Sequence, residues 1–109
     1  MLHRIQKIIS VQPYSVVCEW TNGEIRSIDL EKKLKEWATP DHSIYKNLLD
    51  ENTFMSVDLD TESKTLKWQG LLRVKNTSGN IIKADLDLDP EVLYEISTPF
   101  KNQDKSTKT

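Results

Sequence analysis

Asp85, Asp87 and Asp89 alternate with Leu86 and Leu88, the D-x-D-x-D spacing with which a calcium loop gathers carboxylates around a hard cation. Such a loop needs glycine at its sixth position for a sharp turn and glutamate at its twelfth for bidentate ligation. Counted from Asp85, those positions hold Pro90 and Ile96. Leu86 and Leu88 also favour burial, so the run reads as a strand with a solvated acidic face, to which Asp58 and Asp60 can add. Thiol chemistry would draw on Cys18 with His3 or His42. Cys18 alternates with Val16 and Trp20, the setting of a small buried hydrophobe and not of a low-pKa thiolate. Neither histidine stands in a zinc spacing or beside a nucleophile. Gly23, Gly70 and Gly79 form no phosphate-cradling loop. The expectation is a protein without enzymatic activity, metal or cofactor.

One cluster asks for a partner. Arg73, Lys75 and Lys83 fall on one face of a hairpin, with Arg73 opposite Lys83. Facing like charges cost stability, which points to an acidic partner there; lysines on a sheet edge also guard against aggregation. These three are the candidate partner-binding residues.

The elements that position them follow from periodicity. Residues 5–11 are rich in β-branched side chains and stop at Pro13. Val16, Cys18 and Trp20 form one face of a second strand, and Asn22-Gly23 suits a two-residue hairpin loop. That loop sets Glu19 opposite Arg26 and Trp20 opposite Ile25. Asp29 is placed to cap a helix carrying Leu30, Leu34, Trp37 and Ala38 on one side. Glu31 with Lys35 and Lys32 with Glu36 support it at i,i+4. Thr39-Pro40-Asp41 ends it, and residues 44–49 read as a second short helix. From Phe54 the pattern is extended again, with Met55, Val57 and Leu59 alternating. Leu66, Trp68, Gly70, Leu72 and Val74 then face Ile82, Ala84, Leu86 and Leu88 across the loop 76–80. In that register Val74 meets Ile82, Leu72 meets Ala84, Gly70 meets Leu86 and Trp68 meets Leu88. Asp89 at an N-cap and Pro90 at the first helical position turn the last strand directly into a helix. The predicted fold class is α+β: one small domain over residues 1–97, a mostly antiparallel sheet of about five strands with two or three short helices. Residues 98–109 are expected to be a disordered tail.

Composition narrows the function classes. The chain has 109 residues, 37% hydrophobic and 29% charged, with a formal net charge of −2. That charge gives no overall attraction to phosphate, so nucleic-acid binding would rest on a local patch. No run approaches the length of about 20 apolar residues that spans a bilayer, and the opening residues lack an apolar signal-peptide core. A single cysteine fits a reducing cytoplasm.

The ordered series Arg4-Ile5, Asn22-Gly23, Asp29-Leu30, Trp68 and Asp87 through Glu95 resembles the bacterial domain of unknown function 2442 family. Members open with an Arg-Ile-x-x-Val strand and close with Asp-Leu-x-Pro-Glu-x-Leu-Tyr-Glu. Members usually pass from the tryptophan through Pro-Asn-Gly straight to that motif, whereas here residues 69–85 intervene as a longer hairpin. The resemblance implies an α+β fold and carries no established activity. Relatives fused to helix-turn-helix modules or paired with another small protein imply a regulatory or toxin–antitoxin-like role. The expected function is therefore a non-enzymatic protein-interaction module whose partner is another small protein, with self-association compatible. The alternative is a nucleic-acid-associated transcriptional regulator using the local basic patch.

Overall fold

The computed structural model describes residues 2–39 and 44–100. Within them the chain runs β1 (Ile5–Gln12), β2 (Ser15–Trp20), β3 (Ile25–Asp29), α1 (Glu31–Trp37), α2 (Ile44–Asn47), α3 (Glu51–Met55), β4 (Asp58–Asp60), β5 (Thr65–Lys75), β6 (Ile81–Asp87), α4 (Pro90–Ile96) and β7 (Thr98–Pro99). This is the α+β class that the alternating patterns require. The strands form two antiparallel sheets, ordered β1-β2-β3-β7 and β4-β5-β6, in place of the single sheet of about five. Three helices intervene between β3 and β4, so the chain returns as a separate three-stranded unit. The units meet where the Ile5 N–H donates to the Lys64 carbonyl at 2.8 Å.

The first hairpin is one residue out of the expected register. Glu19 pairs with Ile25 and Cys18 with Arg26. The Trp20 N–H donates to Glu24 O and the Gly23 N–H to Trp20 O, so Thr21, Asn22 and Gly23 form a three-residue loop. Gly23 takes φ 93°, the left-handed residue that closes such loops. The slip sends Ile25 to the other face from Trp20, where it is exposed, and gives Glu19 to Lys7 at 3.7 Å.

Leu30, and not Asp29, occupies the N-cap of α1 and caps it with no side-chain bond; Asp29, one residue earlier, accepts from the Glu31 N–H at 3.2 Å. The Glu31–Lys35 pair forms at 3.3 Å, whereas Glu36 pairs with Lys33 at i,i+3 and not with Lys32. The second helix is shorter than expected, and Leu48 beyond it is buried. Residues 51–55, read as loop and strand from the sequence, are helical. Asp50 caps them, accepting from the Thr53 N–H at 3.0 Å and its hydroxyl at 2.9 Å, and Phe54 points into the core. Asp89 caps α4 by accepting from the Glu91 N–H at 2.8 Å, with Pro90 in the first turn.

The second hairpin keeps half of its expected register. Arg73 faces Lys83, Val74 faces Ile82 and Leu72 faces Ala84, but Trp68 faces Leu86 and not Leu88. Between Trp68 and Leu72 the longer strand carries a bulge at Gly70, whose φ is 67°. The Gly70 N–H that leaves the ladder donates to Asp85 Oδ1 at 2.9 Å. Bulges of this kind bend a strand and re-aim the side chains beyond the bend.

One core serves both sheets. Ile5, Val16, Trp20 and Ile28 meet Leu66, Trp68, Leu86 and Leu88, and Leu34, Leu48, Phe54 and Leu93 close it from the helices. The chain end is placed further than expected. Thr98 and Pro99 pair with Ser27 and Arg26, and the Phe100 N–H donates to Ile25 O at 3.0 Å. The remainder of the expected tail, residues 101–109, lies outside the described residues.

The junction of β6 and α4 yields an ordered mutational series. Leu88→Ala removes a buried side chain and should cost roughly 2–5 kcal/mol. Asp89→Ala removes the cap and should cost about 1 kcal/mol. Asp87→Asn, on the exposed face, should stay within about 0.5 kcal/mol. Urea melts of the three variants test the order.

Candidate functional site

Beyond the bulge, residues 72–75 and 81–84 form a ribbon of two strands. Alternation places Arg73, Lys75, Ile81 and Lys83 on one face and Leu72, Val74, Ile82 and Ala84 on the other. Both faces meet solvent: Ile81 is 67% exposed, Ile82 46% and Val74 39%. The structure thus brings all three sequence candidates together on one face. Among the described residues, none of them makes an ion pair. The turn beyond them is fixed by Asn76, whose Oδ1 accepts from the Ser78 and Asn80 N–H groups at 3.0 Å each.

The acidic residues are dispersed by local tasks. Lys67 lies in register between Asp58 and Asp87 across three strands, and its Nζ is 3.8 Å from Asp85. Asp85 also holds the bulge, and Asp89 caps α4. Asp60 accepts from the Ser63 and Glu62 N–H groups, which hold its carboxyl below the usual carboxylate range. Among the described residues, no group of three His, Cys, Asp or Glu side chains gathers as metal ligands would. Cys18 is fully buried, and burial pushes its thiol up to about 12, so it stays protonated at neutral pH. His42 lies outside the described residues.

His3 is part of a cluster that the sequence pattern did not reveal. Its backbone N–H donates to Glu91 Oε2 at 2.6 Å, and its Nδ1 lies 2.7 Å from Oε1. Its ring stacks on Tyr94 at 3.6 Å, and the Arg26 guanidinium lies 4.5 Å from the same ring. Arg26 also donates to the Ser97 hydroxyl at 2.6 Å and carbonyl at 2.9 Å, while the Tyr94 hydroxyl donates to Glu24. The bond from Tyr94, then that from Asn22, hold the Glu24 carboxyl low, and the same contact raises the Tyr94 hydroxyl. Hydrogen bonds from His3 likewise hold Glu91 low. Every polar member is answered within the cluster, so it acts as a clamp joining the residues before β1, the first hairpin and α4. The spacing of Glu91 and Tyr94, one turn apart on one helix face, was the available signal.

A groove of about 460 Å³ opens elsewhere, and both apolar residues (Trp37, Leu88 and Val92) and carboxylates (Glu36, Asp87 and Asp89) line it. Among the described residues, no helix is long and apolar enough to cross a membrane. No family model, curated protein or solved structure matches the chain.

The clamp has a pH signature with a fixed sign. Because the folded state lowers the Glu91 pKa, its stabilisation is full above the ordinary glutamate value and is lost as pH falls through the lower folded value. Glu91→Gln should therefore destabilise at about pH 7, by an amount that shrinks as pH falls below the ordinary glutamate value. Urea melts over a descending pH series measure the closing gap.

Proposed function

We propose that this chain is a non-enzymatic protein-interaction module of the cytoplasm, the partner-binding half of a regulatory or toxin–antitoxin-like pair. The observation that carries this reading is the ribbon beyond Gly70, where Val74, Ile81 and Ile82 are exposed beside three cations without partners among the described residues. A two-stranded ribbon is at best marginally stable alone in water, and three strands or a packed face are what stabilise it. A ribbon of this kind is suited to completion by another molecule. The resemblance carried by Asp87 through Glu95 supports the same reading, since relatives in that family look paired or fused.

A second reading rests on Arg73, Lys75 and Lys83 alone: a transcriptional regulator that holds nucleic acid by a local basic patch. Such binding would fall linearly with the logarithm of salt, with a slope of about −0.9 per phosphate contacted. A duplex-DNA titration at low salt, repeated with all three cations reversed, examines it directly.

The test of the leading reading is recovery of the tagged full chain from its native cells beside a Val74→Lys/Ile82→Lys variant. The expected result is a protein partner in fixed stoichiometry with wild type and its loss from the variant, whose thermal melt stays close to wild type. Elution of wild type alone at monomer mass would overturn it.

A further inference from the structure

We infer that the outer edge of β5 at residues 71–75 accepts an added strand from an acidic partner segment in which carboxylate and aliphatic side chains alternate. The inference rests on the interaction-module reading and names its partner's chemistry. Its first support is backbone direction. The Asn76 N–H donates to the Asn80 carbonyl at 2.9 Å, in the same register as Val74 with Ile82 and Leu72 with Ala84. Alternation along an antiparallel ladder then turns the N–H and C=O groups of Arg73 and Lys75 outward, away from β6. On that side β4 pairs with β5 over Asp58–Asp60 only, opposite Lys67, Leu66 and Thr65. Past the bulge, the described residues leave the edge unpaired.

The second support is charge. A strand laid on this edge would run beside Arg73 and Lys75 on one face and beside Leu72 and Val74 on the other. Its carboxylates would meet two cations in line, and its aliphatic side chains would cover exposed Val74. The chain already uses this arrangement lower on the same edge. There β4 is Asp58-Leu59-Asp60, and Asp58 lies opposite Lys67. The edge of β6 is the poorer choice for an acidic strand, because Lys83 is followed by Asp85 on the same face. A second copy fits poorly too, since edge-to-edge pairing of two β5 strands would align Arg73 and Lys75 with their own kind. Added strands gain affinity from main-chain bonds and selectivity from alternate side chains, which is what this edge offers.

The test uses the full chain and a labelled peptide of roughly eight residues alternating Glu and Val, a length typical of a strand. Two controls are a peptide of the same composition with its glutamates in one block, and an alternating Lys and Val peptide. Fluorescence anisotropy should show binding of the alternating acidic peptide alone, with slowed amide exchange at Arg73 and Lys75. Arg73→Glu/Lys75→Glu should weaken that binding by about tenfold or more and create binding of the Lys peptide. Circular dichroism melts confirm that the variant stays folded. Equal binding of the blocked peptide would overturn strand addition in favour of plain charge attraction. Duplex DNA binding at this edge, with no peptide binding, would overturn it in favour of nucleic acid. If no peptide binds while the native partner is still lost on Val74→Lys/Ile82→Lys, the acidic-strand chemistry falls and the module reading stands. If the native partner is also absent, both fall.

Discussion

The Trp68 indole, 1% exposed, donates its Nε1–H to the Phe54 carbonyl at 3.1 Å and so ties the three-stranded sheet to α3. An aromatic side chain of this kind removes about 150–250 Å² from water, and Trp20 adds a second indole from the other sheet. Each sheet has one apolar face and neither is large enough to bury it alone, so both depend on the layer these indoles share with Leu66, Leu86 and Leu93. Two further bonds fix that layer at its end: Thr65 Oγ1 donates to Leu88 O at 2.6 Å, and the Leu88 N–H donates to Leu66 O at 3.2 Å. The start of β5, the end of β6 and the entry to α4 are thereby one rigid corner. Trp20 is held less completely. Its Nε1 has no acceptor among the described residues, at a cost of about 1–3 kcal/mol, and its ring meets Tyr94 edge-on at 5.1 Å.

That shared layer explains why the bulge at Gly70 divides the long hairpin. Below it, Trp68 and Leu86 must face the core, and Lys67 answers the carboxylates on the other side. Above it, Leu71 and Leu72 still pack at the core's margin, but Arg73 to Lys75 are exposed, and Arg73 can face Lys83 because water screens both. Gly70 adopts a left-handed φ that a side chain would strain, and Asp85 takes the amide the bulge releases. An acidic residue that looked like part of a cation site is a structural support for the bulge.

Strands, the final cap and the pairing of Arg73 with Lys83 were legible because short-range alternation and turn chemistry decide them. Asp89-Pro90 is read as a helix start wherever the strand before it is packed. What escaped depends on information that alternation does not carry. A slip of one residue in the first hairpin turns on whether Gly23 ends a two- or three-residue loop, and Asn22-Gly23 permits both. The bulge is a two-residue offset, which preserves the face of every side chain and so leaves the hydrophobic pattern unchanged. The helix at 51–55 was hidden by Met55, Val57 and Leu59, which alternate like a strand while Asp50 and Thr53 cap a turn. The clamp of His3, Arg26, Glu91 and Tyr94 unites residues far apart in sequence, and only the closed fold brings them together.

The same long-range organisation gives the molecule a direction. Its net charge is −2, yet Asp58, Asp60, Asp85, Asp87 and Asp89 lie on or beside the packed half of the second sheet, while Arg73, Lys75 and Lys83 lie on the free half. Over a screening length of about 8–10 Å these two regions act as separate fields. An acidic segment would be repelled from the packed end and drawn to the ribbon's tip, so one gradient along a single hairpin would set its approach. The core takes Trp68, Leu86 and, just past the bulge, Leu71 and Leu72 at its margin, and it ends there. Arg73, Val74 and Lys75 are exposed, so packing places few demands on the strand beyond Leu72.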